Sequence, residues 1–378
     1  MKLTLDARYL RERPSGIGAY VAAVLRRLPP RWPGALSLWR HPQAPSWVTD
    51  DPRWSSAVVR APANGPGTLC WPSALAPLDD TDVFHAPFNI LGRGIGCATV
   101  VTVHDLMWLH SPALCEGLKL STPFQWAFYR DGIVRALDEA TRVVAISQAT
   151  ADDIVKHFPK CGPRLRVITH GVESVWAPPA DPAGVHARVA GIVGFSAPYF
   201  VMVGQNAPYK NQAAVVRAFA ALPRRLGLRL VLLQRLQTGG ALPKLAKSLG
   251  IEDRVVWQSA LSDDDTRSLV QSALALVQFS RAEGFGMPVI EAMAAGTPVI
   301  VSAIAVFAEI TAGAALVAAD EAALTRAMAE LAGSPRLADE LSARGLARAA
   351  DFSWERSADL HAEVYAEAAS SPRARRHA

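Results

Sequence analysis

The sequence predicts an α/β protein of two doubly wound domains, and three observations carry that expectation. The chain has 378 residues, enough for two ordinary domains each with its own core. Half of the residues are hydrophobic and 19% are charged, the composition of a globular chain and not of a disordered one. Short apolar runs alternate with helical stretches in two series, and each series opens with a run that leads through a polar or glycine-containing loop into a helix.

In chain order, Lys2–Asp6 reads as a short strand. Pro14-Ser15-Gly16-Ile17-Gly18 follows as a turn, and Ala19–Leu28 as an amphipathic helix carrying Arg26 and Arg27. Such a strand, turn and helix open a doubly wound fold, whose ligand lies beyond the strand's C-terminal end. The two glycines lack the third glycine and the acidic partner of a dinucleotide fingerprint. Residues 29–80 are rich in Pro and Trp and show no clear period. Asp82–His85 and Ala98–Val103 read as buried parallel strands, the second running into His104-Asp105. His104 therefore faces the ligand edge, as a group for hydroxyl contact or acid–base work, or as a hydrogen-bonded structural histidine. Phe124–Ala140 reads as a helix, Thr141–Ser147 and Leu165–Thr169 as strands, and 173–195, with its Pro, Ala and Gly, as a linker.

The second series starts with the strand Tyr199–Val203, the polar loop Gly204–Asn211 and the helix Gln212–Leu222. Strands are expected at Leu228–Leu233, Arg254–Trp257 and Leu274–Phe279. Then comes Glu283-Gly-Phe285-Gly286-Met287-Pro288-Val-Ile-Glu291, two carboxylates eight positions apart around a glycine-rich turn. Pro288 suits a first helical position, Glu291 would lie in that helix's first turn, and Gly296 would end it before a strand at Thr297–Val301. A helix start beside two glycines offers N–H groups and a positive dipole end to a phosphate, although a packing-driven turn has the same look. Lys210 holds the matching place in the first unit of this half, and the two together suggest a diphosphate clamp. Helices rich in Ala, Leu and Arg run on to about residue 350. Ser353 reads as the N-cap of a terminal helix with Glu355 in its first turn, before a tail bearing Arg373, Arg375 and Arg376.

The net charge is +5 and uneven: residues 1–60 hold ten Lys/Arg against four Asp/Glu, and residues 61–185 nine against twelve. The basic first segment points to an anionic partner (phosphate, nucleic acid or anionic lipid) or to an ordinary solvated face. Cys70, Cys97, Cys115 and Cys161 have neither CxxC spacing nor a small-domain framework, which suggests reduced thiols and no structural metal. Lys2, Asp6, Arg8 and Arg11 come early with no apolar run after them, so no signal peptide is expected, and no stretch has the ~18 apolar residues of a membrane span.

Four features spread over nearly the whole chain resemble glycosyltransferase family 4, the retaining, metal-independent enzymes of GT-B fold. They are Gly16-Ile-Gly18, Val101-Thr-Val-His104-Asp105-Leu106, Val203-Gly204 with Lys210-Asn211, and Glu283-Gly-Phe-Gly-Met-Pro288 through Glu291-Ala-Met-Ala-Ala-Gly296-Thr-Pro-Val. The last is specific to that family, and Phe352-Ser-Trp354 resembles the start of its last helix. The resemblance implies two Rossmann-like domains facing a central cleft: an acceptor domain over 1–180, a nucleotide-sugar donor domain over 195–352, and 353–378 as a helix crossing back to the first domain plus a basic tail. It implies Glu283 near the donor sugar, Glu291 on the ribose, backbone amides of Phe285, Gly286 and Met287 on sugar and phosphate, and Lys210 on the diphosphate beside Gly204. It places His104 on the sugar's hydroxyls, and Gly16 and Gly18 near diphosphate and acceptor. Catalysis would rest on Glu283, His104 and Lys210, with front-side attack in which the leaving phosphate takes the acceptor's proton.

Many family members carry an Arg in the loop after Val203-Gly204, where this chain has Gln205 and Tyr209. Arg235 or Arg281 is then expected to supply the missing charge. The implied reaction moves a hexose, mannose or a deoxyhexose such as rhamnose, from a nucleoside-diphosphate sugar to a lipid-linked or polysaccharide acceptor in cell-surface glycan synthesis. It needs no cofactor, metal or nucleic acid. A cytoplasmic location is expected, with possible peripheral contact to anionic membrane. An inverting enzyme with His104 or Asp105 as base, and a nucleotide-sugar-binding subunit without turnover, stay open at this stage.

Overall fold

The structure is a computed structural model that describes residues 1–12, 16–115, 123–234, 240–259 and 261–371. It divides into two compact units, one built from Met1–Pro112, Leu120–Gly171 and Ser353–Ala378, the other chiefly from Val172–Phe352.

The first unit is a seven-stranded parallel sheet. Its strands are β1 (Lys2–Asp6), β2 (Ala35–Arg40), β3 (Ser55–Val58), β4 (Val83–Ala86), β5 (Ala98–Val103), β6 (Arg142–Ala145) and β7 (Leu165–Val167). They lie in the order β3-β2-β1-β4-β5-β6-β7. All six residues of central β5 are buried, as a strand covered by helices on both faces requires. The aperiodic stretch after residue 29 supplies β2 and β3 at the sheet edge, where Trp39 packs on Phe84 with ring centroids 4.9 Å apart. The expected turn at Gly16–Gly18 is instead the first turn of the helix Gly16–Arg27.

The terminal helix Trp354–Ala369 belongs to this unit and packs on the helix Gly16–Arg27 and on β4 and β5. Ser353 caps it by accepting from the Arg356 N–H at 3.2 Å. A chain of buried hydrogen bonds ties it to the sheet. His361 Nδ1 faces the Ser357 carbonyl at 2.7 Å, and a carbonyl only accepts, so the proton is on Nδ1 and Nε2 is the acceptor. Tyr20 OH then donates to His361 Nε2 (2.7 Å), Thr102 Oγ1 to Tyr20 OH (2.9 Å), His85 Nε2 to Thr102 Oγ1 (2.9 Å), and Tyr365 OH to His85 Nδ1 (2.8 Å). One acceptor at the end of the path thus sets the direction of every bond in it.

The second unit is a six-stranded parallel sheet. Its strands are β8 (Tyr199–Val203), β9 (Arg229–Gln234), β10 (Val255–Ser259), β11 (Ala275–Gln278), β12 (Val299–Ser302) and β13 (Leu316–Ala318). They are ordered β10-β9-β8-β11-β12-β13. Phe200, Met202, Phe219, Leu230, Val277 and Ile300 form its core. The stretch read as a linker contains the helix Pro182–Val193, so that reading is corrected. Its Pro and Gly are end signals: Pro182 stands at the helix start behind the Asp181 cap, and Gly194 closes the helix in a left-handed conformation (φ 78°). Strand β13, within the Ala-rich stretch read as helices, was also not foreseen.

Candidate active site

The order β9-β8-β11-β12 reverses direction between β8 and β11, the switch point beside which open α/β sheets bind ligands. The two segments singled out in this half leave from the C-terminal ends of those two strands. After β8, Gly204 has φ 150°, and a Cβ there would sit 3.4 Å from Lys210 Cε, so the glycine leaves room for the lysine stem. Gln212 steadies the loop through the Gly204 and Gln205 carbonyls, and is itself bonded by buried Gln234 at 2.7 Å. The loop ends in the short 3-10 turn Pro208–Lys210, and the Lys210 ammonium lies 5.2 Å from the Tyr209 ring centre.

After β11 come Ser280 and Glu283. Lys210 Nζ donates to Glu283 Oε1 at 2.6 Å, Ser280 Oγ to the same oxygen at 2.7 Å and Gln278 Nε2 at 3.1 Å. Ser302 Oγ holds the Ser280 carbonyl from neighbouring β12 at 2.5 Å. Lys210 and Glu283 side chains are about nine-tenths buried. The resemblance implied a lysine on the diphosphate and a glutamate on the sugar; the structure joins the two as an ion pair.

The helix expected from Pro288 begins one residue earlier, at Met287, and runs to Ala294. Glu291 therefore lies in its second turn and not its first, and the start carries no acidic residue and no side-chain cap. Gly286 precedes it at φ 105°, where a Cβ would be 2.8 Å from the Phe307 ring, so only glycine fits without movement. Phe285 is buried edge-to-face on Phe352, centroids 5.7 Å apart. This local packing aims an uncapped helix start, with its positive dipole end, at the same sheet edge as Lys210. Gly296 follows the helix in a left-handed conformation, as its position suggested.

In the first unit, Gly16 and Gly18 lie in the helix that follows β1, and a Cβ at Gly16 would meet nothing within 4 Å. His104 directly follows β5. Its Nε2 donates to the Pro87 carbonyl at 2.8 Å and its own N–H to Asn89 Oδ1 at 2.7 Å. Burial pushes the ring down to about 4, against a weaker opposing pull from the Pro87 bond, so the imidazole is neutral at pH 7 and Nδ1 is its acceptor. Tyr20, Phe88 and His170 surround it. Arg235 lies outside the described residues. Arg281 is exposed, and its backbone N–H donates to the Tyr209 carbonyl at 2.7 Å, bracing the two loops against each other. Ser280, Gln278 and Ser302 were missed by sequence reasoning; the available signal was their place at the ends of β11 and β12, next to the first glutamate.

The second unit carries the family mark. Residues 195–348 match the model of the glycosyl transferases group 1. The chain is 30% identical over 304 residues to the MMP alpha-(1->4)-mannosyltransferase of Mycolicibacterium hassiacum, spanning 76% of this chain and 71% of that one. The chain belongs to the group 1 glycosyltransferases. A D-inositol 3-phosphate glycosyltransferase of Frankia alni is 27% identical, over 73% of this chain and 72% of its own length. The crystal structure of WaaG, a glycosyltransferase involved in lipopolysaccharide biosynthesis, covers 97% of this chain and 99% of its own at a TM-score of 0.75 and 15% identity. Anabaena HepE in complex with UDP and glucose covers 96% and 98% at a TM-score of 0.71 and 18% identity. These likenesses show the GT-B fold, two parallel-sheet Rossmann-like domains. A cation and a helix dipole at one sheet edge can together oppose negative charge that develops in a desolvated site.

Proposed function

We propose that this glycosyltransferase moves a hexose, mannose or a deoxyhexose such as rhamnose, from a nucleoside-diphosphate sugar to a lipid-linked or polysaccharide acceptor, with retention and without a metal. The observation that carries the donor reading is the convergence of Lys210, Glu283 and an uncapped helix start on the β8/β11 switch point. A nucleoside diphosphate entering there exchanges its own anionic oxygens for the Glu283 carboxylate on Lys210. Glu283 is then released to accept a sugar hydroxyl, and Glu291 takes the ribose. The mannosyltransferase and inositol-phosphate glycosyltransferase names of the relatives support a sugar donor of this kind and a phosphorylated or hydroxyl-rich acceptor. No helix among the described residues is long and apolar enough to cross a membrane, so a lipid-linked acceptor would be met from the membrane face.

A thermal-shift panel of GDP-, UDP- and dTDP-sugars tests the donor, because a ligand that binds only the folded chain raises Tm by mass action. One nucleotide series is expected to shift Tm in wild type and much less in Lys210→Ala. No shift with any of the three, or an equal shift in the variant, overturns the reading. Proton NMR of the product anomer then separates retention from inversion, and turnover undiminished in EDTA checks metal independence.

A further inference from the structure

We propose that His110, Asp153 and His157 form a surface site for a divalent transition metal of the zinc, cobalt or nickel class. His110 ends the short helix Met107–His110, and Asp153 and His157 lie on the helix Gln148–His157, both in the first unit. Asp153 and His157 are four apart on one helix and so share a face. His110 Nε2 is 4.0 Å from Asp153 Oδ2, and His157 Nδ1 is 3.1 Å from Asp153 Oδ1. One ligand atom from each of the three lies within 4.8 Å of the other two. The imidazole rings are 4.0 Å apart between centroids, at 35°.

The outer contacts fit a ligand set as well. His157 Nδ1 donates to the Asp153 carbonyl at 2.9 Å, the kind of bond that fixes a ligating histidine's tautomer and leaves Nε2 with the lone pair, so the 3.1 Å approach of Nδ1 to Asp153 Oδ1 shows that ring and carboxylate are neighbours and is not a ligand-to-ligand distance. Two imidazoles and one carboxylate match the borderline ions and leave a position for water. Calcium and magnesium ask for an all-oxygen set and are not expected. Metal bonds of about 2.0–2.1 Å bring tetrahedral ligand atoms to roughly 3.4 Å apart, a closure that side-chain rotation at a half-exposed surface can supply. The site plays no part in sugar transfer as described above. Its effect is mechanical: it ties the segment that follows His104 to the helix that follows β6.

The test uses the full chain, stripped with EDTA and titrated with ZnCl2 and with CoCl2 by calorimetry and thermal shift. One ion per chain and a rise in Tm are expected. His110→Ala, Asp153→Asn and His157→Ala should each weaken binding by about tenfold or more, with Tm in EDTA close to wild type. The cobalt complex should show no thiolate charge-transfer band. Absence of binding by wild type, unchanged affinity in the His110→Ala/His157→Ala double variant, or a thiolate band placing the ion on a cysteine would each overturn the proposal.

Discussion

Glu283 has one carboxylate oxygen engaged and one open. Oε1 takes Lys210, Ser280 and Gln278, while among the described residues Oε2 takes no hydrogen bond. Three donors on one oxygen fix the plane of the group and present the other oxygen, which is preorganisation in the sense catalysis needs. Removing a donor should therefore loosen aim more than affinity. Ser280→Ala is expected to lower kcat by about tenfold with donor KM little changed, and Ser280→Thr to restore much of it, as steady-state kinetics with the donor found by the panel would show. Lys210→Met leaves the carboxylate buried with only neutral donors. Urea unfolding should show it roughly 3 kcal/mol less stable than wild type, with part of that recovered in Lys210→Met/Glu283→Gln, which stays inactive. A Lys210→Met protein as stable as wild type would mean that the pair does not form in solution. Gly286→Ala combines an unfavourable backbone region with a clash on Phe307, and should cost about 2–3 kcal/mol in the same assay.

At the scale of elements, the path from Tyr365 to Ser357 makes the terminal helix sensitive to acid. Burial holds His361 down to about 4 and His85 well below its ordinary value. The folded chain therefore binds fewer protons than the unfolded one below pH 6.5, and stability falls as pH drops from about 6.5 towards 4. His361 alone accounts for roughly 3 kcal/mol of that loss. Tm against pH should fall steeply across this window, and more shallowly in His361→Gln, which starts lower. Parallel curves for the two proteins would remove His361 from the account.

Strands were legible where burial on both faces forces an unbroken apolar run. Ala98–Val103 and Tyr199–Val203 stand where the sequence puts them. β2 and β3 were not: both are short and sit among Pro and Trp, β2 is buried only in part, and β3 at the sheet edge is largely exposed, so neither makes an unbroken apolar run. The helix Pro182–Val193 was hidden by its own end signals. At the site, Lys210 and Glu283 could be named from the loops that bear them. Their pairing could not, since it depends on the order of β8 and β11 in the sheet and not on spacing along the chain.

For the whole molecule, the basic first segment has a different meaning once folded. Lys2 pairs with Asp80, Arg8 with Asp6, Arg27 with Glu355, Arg31 with Glu355 and Asp359, and Arg53 with Asp51. Among the described residues, at least five of the cations in residues 1–60 are thus held by carboxylates of this chain, some of them on the terminal helix, which also receives Arg142 and Arg166 at Glu367. The surplus left for an anionic partner is correspondingly smaller. Removing residues 353–378 should leave those arginines unpaired and expose Tyr20 and Trp32, so the truncated chain is expected to lose the cooperative unfolding of its first unit by calorimetry. Residues 172–352 expressed alone are expected to fold.

That asymmetry gives the path through His361 a consequence in time. The first unit waits for residues made after the whole of the second: Tyr20, His85 and Thr102 leave the ribosome early, and their last partner is encoded more than 250 positions later. At about 5–20 residues per second, the interval is on the order of ten seconds to a minute. Through it the nascent first half carries an uncovered sheet face, while Val172–Phe352, a continuous run, can close as soon as it emerges. The order of birth and the order of folding are therefore expected to be reversed in this chain, the second unit gaining protease resistance first during synthesis.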